Sequence, residues 1–186
     1  MMKRSMILAV LAASATATPA FSQSVDGTVD ITGSVADRCL FTTPSATLPL
    51  GELARSGTDT NAGRLDESKV DGESRTLVGW CNGTAATMSV EAFALTNSDF
   101  TSPAPNGFDR VINFTATADA NSESATDTSV TAGAGSAVNV GLFTGNVVVT
   151  LSESATPGGG LLVAGDYDGQ VVVTLTPNVS FNQPAA

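Results

Sequence analysis

The sequence predicts an all-β protein: one β-sandwich domain made of many short strands and closed by a single disulfide. Three observations carry this. The composition is small and polar, rich in Ala, Gly, Ser, Thr and Val, with one Trp and one Tyr, which suits thin sandwiches better than helical bundles. Apolar residues recur at every second position in several separate stretches. After the first two dozen residues, no apolar stripe of helical period and useful length follows.

The amino terminus has the parts of a secretory signal peptide. Lys3 and Arg4 precede an apolar run from Met6 to Ala13, and a small-residue stretch ends in Ala20-Phe21-Ser22. The apolar run is far shorter than the roughly 20 residues that cross a bilayer, so a signal over 1–22 is predicted, cut after Ser22 or, alternatively, after Ala20. No later segment is long and apolar enough to span a membrane. The rest of the chain fits one domain on length. It divides into an N-terminal extension, 23–36, and a domain, 37–186.

The extension carries the most regular pattern. Val25, Gly27, Val29, Ile31, Gly33 and Val35 alternate with Asp26, Thr28, Asp30, Thr32 and Ser34, a period of two that predicts a strand. Glycines on the apolar face weaken an ordinary strand. They suit a strand pressed against neighbouring side chains, or, for Gly33, a bend or bulge. A short strand is expected at 46–50, then a polar loop or weak hairpin over 52–74. Strands are expected at 76–81, 87–95 and 110–118, with Asn82-Gly83 as the turn between the first two. The Ala, Ser, Thr, Asp and Gly stretch 119–137 reads as a mobile surface loop. Strands follow at 137–143 and 146–152. Pro157-Gly158-Gly159-Gly160 breaks the chain, and a last pair covers 161–164 and 168–177.

Charge and cysteine content narrow the function. The chain holds 8 basic and 18 acidic residues. Two of the basic residues lie in the signal, so the mature chain has six against eighteen, a net charge of −12. Such a surface repels nucleic acid and anionic lipid. Cys39 and Cys81 are the only cysteines, and in an oxidising compartment two cysteines pair by default. Closing that loop is worth roughly 4 kcal/mol in the chain-entropy model. A metal pair or a free nucleophile has no histidine to support it, because the chain contains none.

Read in order, several short motifs resemble one family. The run Gly27-Thr-Val-Asp-Ile-Thr-Gly33-Ser-Val-Ala-Asp-Arg-Cys39 resembles the start of fimbrial subunits (pilins) of the chaperone–usher pathway. Leu48-Pro49-Leu50-Gly51 is similar to the segment that follows there. Val78-Gly79-Trp80-Cys81-Asn82-Gly83-Thr84 resembles the second-cysteine strand of the spore-coat-protein-U-like branch. Ala164-Gly165-Asp166-Tyr167 leading into Val171–Pro177 is similar to that group's carboxy-terminal motif. The resemblance spans 27–177. No motif of the group falls in 119–160, and the chain runs on past the last strand through Asn178–Ala186.

The resemblance implies an immunoglobulin-like sandwich that lacks its final strand, with an apolar groove in its place. A periplasmic chaperone would fill the groove first, and the extension of the next subunit would then replace it at an outer-membrane usher. Val25, Val29 and Ile31 would be the donor side chains, and Gly27 would sit where a side chain cannot fit. The product would be a homo- or hetero-polymer on the cell surface, a fimbrium or coat with structural or adhesive work. In the alternative reading, 25–35 is the first strand of a self-complete, monomeric, secreted binding or coat protein.

Catalytic signatures are missing. Without histidine there is no usual general base and no triad. Gly133-Ala-Gly135-Ser136 lacks the lysine of a phosphate loop. Asp166-Tyr167-Asp168-Gly169 lacks the ligand series of a calcium loop. Tyr167 is expected to pack or hydrogen-bond at a strand corner. Trp80 should cover the disulfide or lie on the opposite sheet face. Asn82-Gly83-Thr84 matches a glycosylation acceptor but reads more simply as a turn. The sequence therefore predicts a structural protein, with no catalytic activity and no cofactor.

Overall fold

The computed structural model describes residues 24–178. The predicted signal peptide and residues 179–186 of the tail lie outside the described residues. The chain divides into two units, Met1–Ser34 and Val35–Ala186. In the first, no residue from 24 to 34 belongs to a strand, which corrects the strand predicted over 25–35. Alternation says that one face is suited to burial; a strand also needs a neighbouring ladder.

The second unit is all-β. Its strands are β1 (Cys39–Thr43), β2 (Ser74–Cys81), β3 (Thr87–Asn97), β4 (Phe108–Asp109), β5 (Val111–Ala120), β6 (Glu123–Thr128), β7 (Val138–Asn139), β8 (Phe143–Ala155), β9 (Leu161–Leu162) and β10 (Tyr167–Thr176). The main ladder runs β1-β2-β8-β5-β3-β10, with β6 added on β5 and β7 on β3. All these pairs are antiparallel. The short β4 and β9 pair in parallel. The sheet curls into a nearly closed, sandwich-like arrangement that brings β1 near β10. Each of these two end strands is paired on one side only among the described residues.

The core follows from the alternation. On β3, Met88, Val90 and Ala92 point inward and are buried, and on β5 so are Ile112, Phe114, Ala116 and Ala118. Val147 and Leu151 of β8 close the same core. Small inward residues on β5 let the two layers approach closely, which keeps the sandwich thin. The region 52–74 is the weak hairpin expected: Ala54 bridges Leu65, and the Arg55 N–H donates to the Arg64 carbonyl (2.8 Å). A 3₁₀ turn, Glu67–Lys69, then drops Val70 fully into the core.

Three expectations need correction. The loop predicted over 119–137 contains β6, joined to β5 by a two-residue turn. Asn121 (φ 50°) and Ser122 (φ 66°) both take the positive angles that such a type I′ hairpin requires. The inward residues of β6 are Ala125 and Asp127, both buried, so its alternation carries no large apolar residue to read. The strand predicted over 137–143 shrinks to Val138–Asn139. There Gly141 turns the chain (φ 57°), and the Asn121 side chain donates to the Val140 carbonyl (2.7 Å). The strand predicted over 46–50 is not a strand. Pro44 and Pro49 flank and interrupt it, and proline has no N–H to give a ladder.

Candidate strand-docking groove

A groove of about 1190 Å³ opens between the two free ends of the ladder. One rim is β10. Its inward residues Val171, Val173 and Leu175 stand opposite Ala92, Val90 and Met88 of β3. The β3 residues are buried, while their β10 neighbours are only half-buried. The other rim is the stretch 44–53 beyond β1. There Leu48, Leu50 and Leu53 lean half-buried against the core. Its main chain is held sparingly: among the described residues, 44–52 make no backbone–backbone hydrogen bond. Arg75 secures it instead, its Nε donating to the Thr47 carbonyl (2.9 Å) and its Nη1 to the Ser74 carbonyl (2.8 Å).

The floor is apolar, formed by Leu77, Leu95, Phe114, Val149 and Leu151. The two rims converge at Gly79 of β2. A side chain there would lie 3.1 Å from both the Leu40 carbonyl oxygen and Phe41 Cδ1 on β1, and 3.3 Å from Leu175 Cδ1 on β10. Glycine thus lets the end strands draw together, which closes one end of the groove.

Each rim is anchored at one end. Tyr167, which opens β10, donates its hydroxyl to the Val163 carbonyl (2.9 Å) and to the Asp109 carbonyl (3.3 Å). The buried Asn97 Nδ2 donates to the Val163 and Ala164 carbonyls (3.0 and 3.2 Å), and its Oδ1 accepts from the Phe100 N–H (2.7 Å). The corner expected at Tyr167 is therefore a hydrogen-bonded one, and Asn97 locks it in place. Across the groove, β1 is fixed by the disulfide Cys39–Cys81 (S–S 2.04 Å), whose residues face each other in the β1–β2 ladder. Trp80 stands opposite Leu40 in the same ladder, on the face away from the buried Cys81. It does not cover the disulfide.

The predicted donor residues belong to the first unit. Val25 is 89% exposed, Val29 83% and Ile31 91%. A side chain at Gly27 would meet nothing within 4 Å in the single chain. An apolar groove was what the resemblance implied, but reading the sequence missed which residues line it and the roles of Arg75 and Asn97. The one signal for the second rim was the Leu48-Pro49-Leu50-Gly51 motif.

The groove offers shape, apolar surface and a strand edge. Among the described residues no group of three or more His, Cys, Asp or Glu side chains is placed to hold a metal ion. Asp66, whose carboxyl is held below the ordinary carboxylate range by the Ser68 hydroxyl, lies outside the groove. No helix among the described residues is long and apolar enough to cross a membrane. Comparison of the chain with models of protein families, with curated proteins and with solved structures found no match.

Proposed function

We propose that this chain is an exported structural subunit that assembles by strand donation: the 25–35 ribbon of one copy enters the groove of the next. The observation that carries the reading is the pairing of two unfinished features in one sequence. Among the described residues β10 pairs with β3 alone, leaving its other edge open over 10 residues, about 34 Å at the usual rise. The ribbon from Val25 to Val35 has matching length, alternating chemistry and no ladder of its own. Such an addition satisfies the open edge with main-chain hydrogen bonds and places alternate side chains in the groove. Burying Val25, Val29 and Ile31 would contribute on the order of 5–8 kcal/mol before ordering costs.

On this reading the fold is an immunoglobulin-like sandwich without its last strand. The hydroxyl of Tyr167 bonds a carbonyl four residues upstream, which resembles the tyrosine corner of that fold and supports the reading. An open apolar edge is an aggregation hazard, so a periplasmic chaperone and an outer-membrane usher are the expected partners before assembly. The destination is the cell surface, as part of a fibre or coat. The work is association; catalysis, cofactors and nucleic acid have no part in it.

Deleting residues 23–33 tests the proposal. A donating subunit keeps its fold and its chaperone complex but stops forming polymers. A self-complete sandwich instead loses stability and never polymerises with the segment present, an outcome that contradicts strand donation.

A further inference from the structure

The segment that roots the exposed ribbon in the domain is gripped by one residue. The Asn82 N–H donates to the Arg38 carbonyl (3.0 Å). The Arg38 N–H donates in turn to Asn82 Oδ1 (2.5 Å), and Asn82 Nδ2 donates to the Ala36 carbonyl (3.0 Å). The side-chain amide acts as a surrogate peptide group, extending the β1–β2 ladder one step beyond the Cys39–Cys81 pair. Like a peptide group, the amide offers an N–H donor and a C=O acceptor on two separate atoms. The fit is close on the next residue too: a side chain at Gly83 would lie 3.1 Å from the Asp37 carboxyl carbon. An Asn82 amide committed to two main-chain groups is a structural clamp, which accounts for the residue better than glycosylation does.

We infer that Asn82 pre-orders the root of the donated ribbon. By holding Ala36 and Arg38 at once, it keeps that root in place before a neighbouring groove receives the ribbon, and so lowers the ordering cost of assembly. This rests on the strand-donation reading. A short unheld linker samples many directions; a held one is organised before it binds.

The test compares wild type with Asn82→Ala and Asn82→Asp in the full mature chain. In monomer at low concentration, the Arg38 amide of Asn82→Ala should exchange about tenfold faster, as expected when a hydrogen bond is lost. Protection of Met88–Ala92 should stay unchanged, showing an intact core. Asn82→Asp keeps the acceptor for Arg38 and loses the donor to Ala36, so exchange at Arg38 stays near wild type while residue 36 gains motion in ¹⁵N relaxation. If Asn82→Ala does not fold, this second variant alone decides the clamp. Followed by light scattering, Asn82→Ala should polymerise several-fold more slowly than wild type at the same concentration. Unchanged Arg38 exchange in Asn82→Ala, or unchanged order at residue 36 in Asn82→Asp, overturns the clamp. Asn82→Ala assembly at the wild-type rate overturns its role in assembly. Failure of wild type to polymerise sinks strand donation instead, and the monomer exchange data still judge the clamp separately.

Discussion

β3 and β10 are neighbours of similar length, similar alternation and shared register, yet they are buried very differently. Met88 is fully buried and Val90 is 1% exposed, whereas their cross-strand partners Leu175 and Val173 remain half-buried. The side chains are chemically alike, so composition does not explain the contrast. Position in the ladder does. β3 has β10 on one side and β5 and β7 on the other, while β10 ends the ladder with nothing beyond it among the described residues. The same alternating sequence makes a finished core in one place and half of a binding site in the other.

Four perturbations sharpen or break this contrast, in descending order of effect. Replacing both Cys39 and Cys81 by serine should cost about 4 kcal/mol in urea unfolding, because the loop closed by the bond spans 42 residues. It removes the tie that holds β1 at the rim facing β10. A loss below about 1 kcal/mol would mean that the ladder alone fixes that rim. Met88→Ala should cost about 3 kcal/mol in the monomer, as for a fully buried side chain. Leu175→Ala, directly opposite, should cost only about 1 kcal/mol in the monomer, yet weaken assembly more than Met88→Ala does. Equal costs for the two in the monomer would erase the contrast. Tyr167→Phe should cost about 1 kcal/mol or less, since it removes the hydroxyl bonds to Val163 and Asp109. Its signature is faster amide exchange at the start of β10, with β3 unaffected.

Much of the fold was legible because inward and outward residues differ in polarity. β5 and β10 declare themselves by period two, strands were expected over much of β2, β3 and β8, and the pairing of Cys39 with Cys81 follows from their being the only cysteines. β6 was illegible because its buried positions hold Ala125 and Asp127. The Asp127 carboxylate is placed by a tertiary contact, accepting the Ala92 N–H (2.8 Å), which no local pattern announces. The opposite error occurred at 25–35 and 46–50. Val25, Val29 and Ile31 alternate as well as any strand, but alternation names a face to be covered and not what will cover it. At 46–50, Pro49 and the lone Arg75 anchor replace a ladder. The lining of the groove that the resemblance implied was illegible for a related reason: half-burial of Val171, Val173 and Leu175 depends on which neighbours the ladder supplies, and no local pattern records that.

Amide exchange along β10 tests the account most directly, because every second N–H of an edge strand points away from its one partner. In the monomeric mature chain, the alternate β10 amides that do not bond β3 should exchange rapidly. Addition of a synthetic peptide of residues 24–36 should protect them, and the same peptide with aspartate in place of Val29 and Ile31 should not. Uniform protection of β10 in the monomer, or no change on adding the peptide, would contradict an open edge built to receive that ribbon.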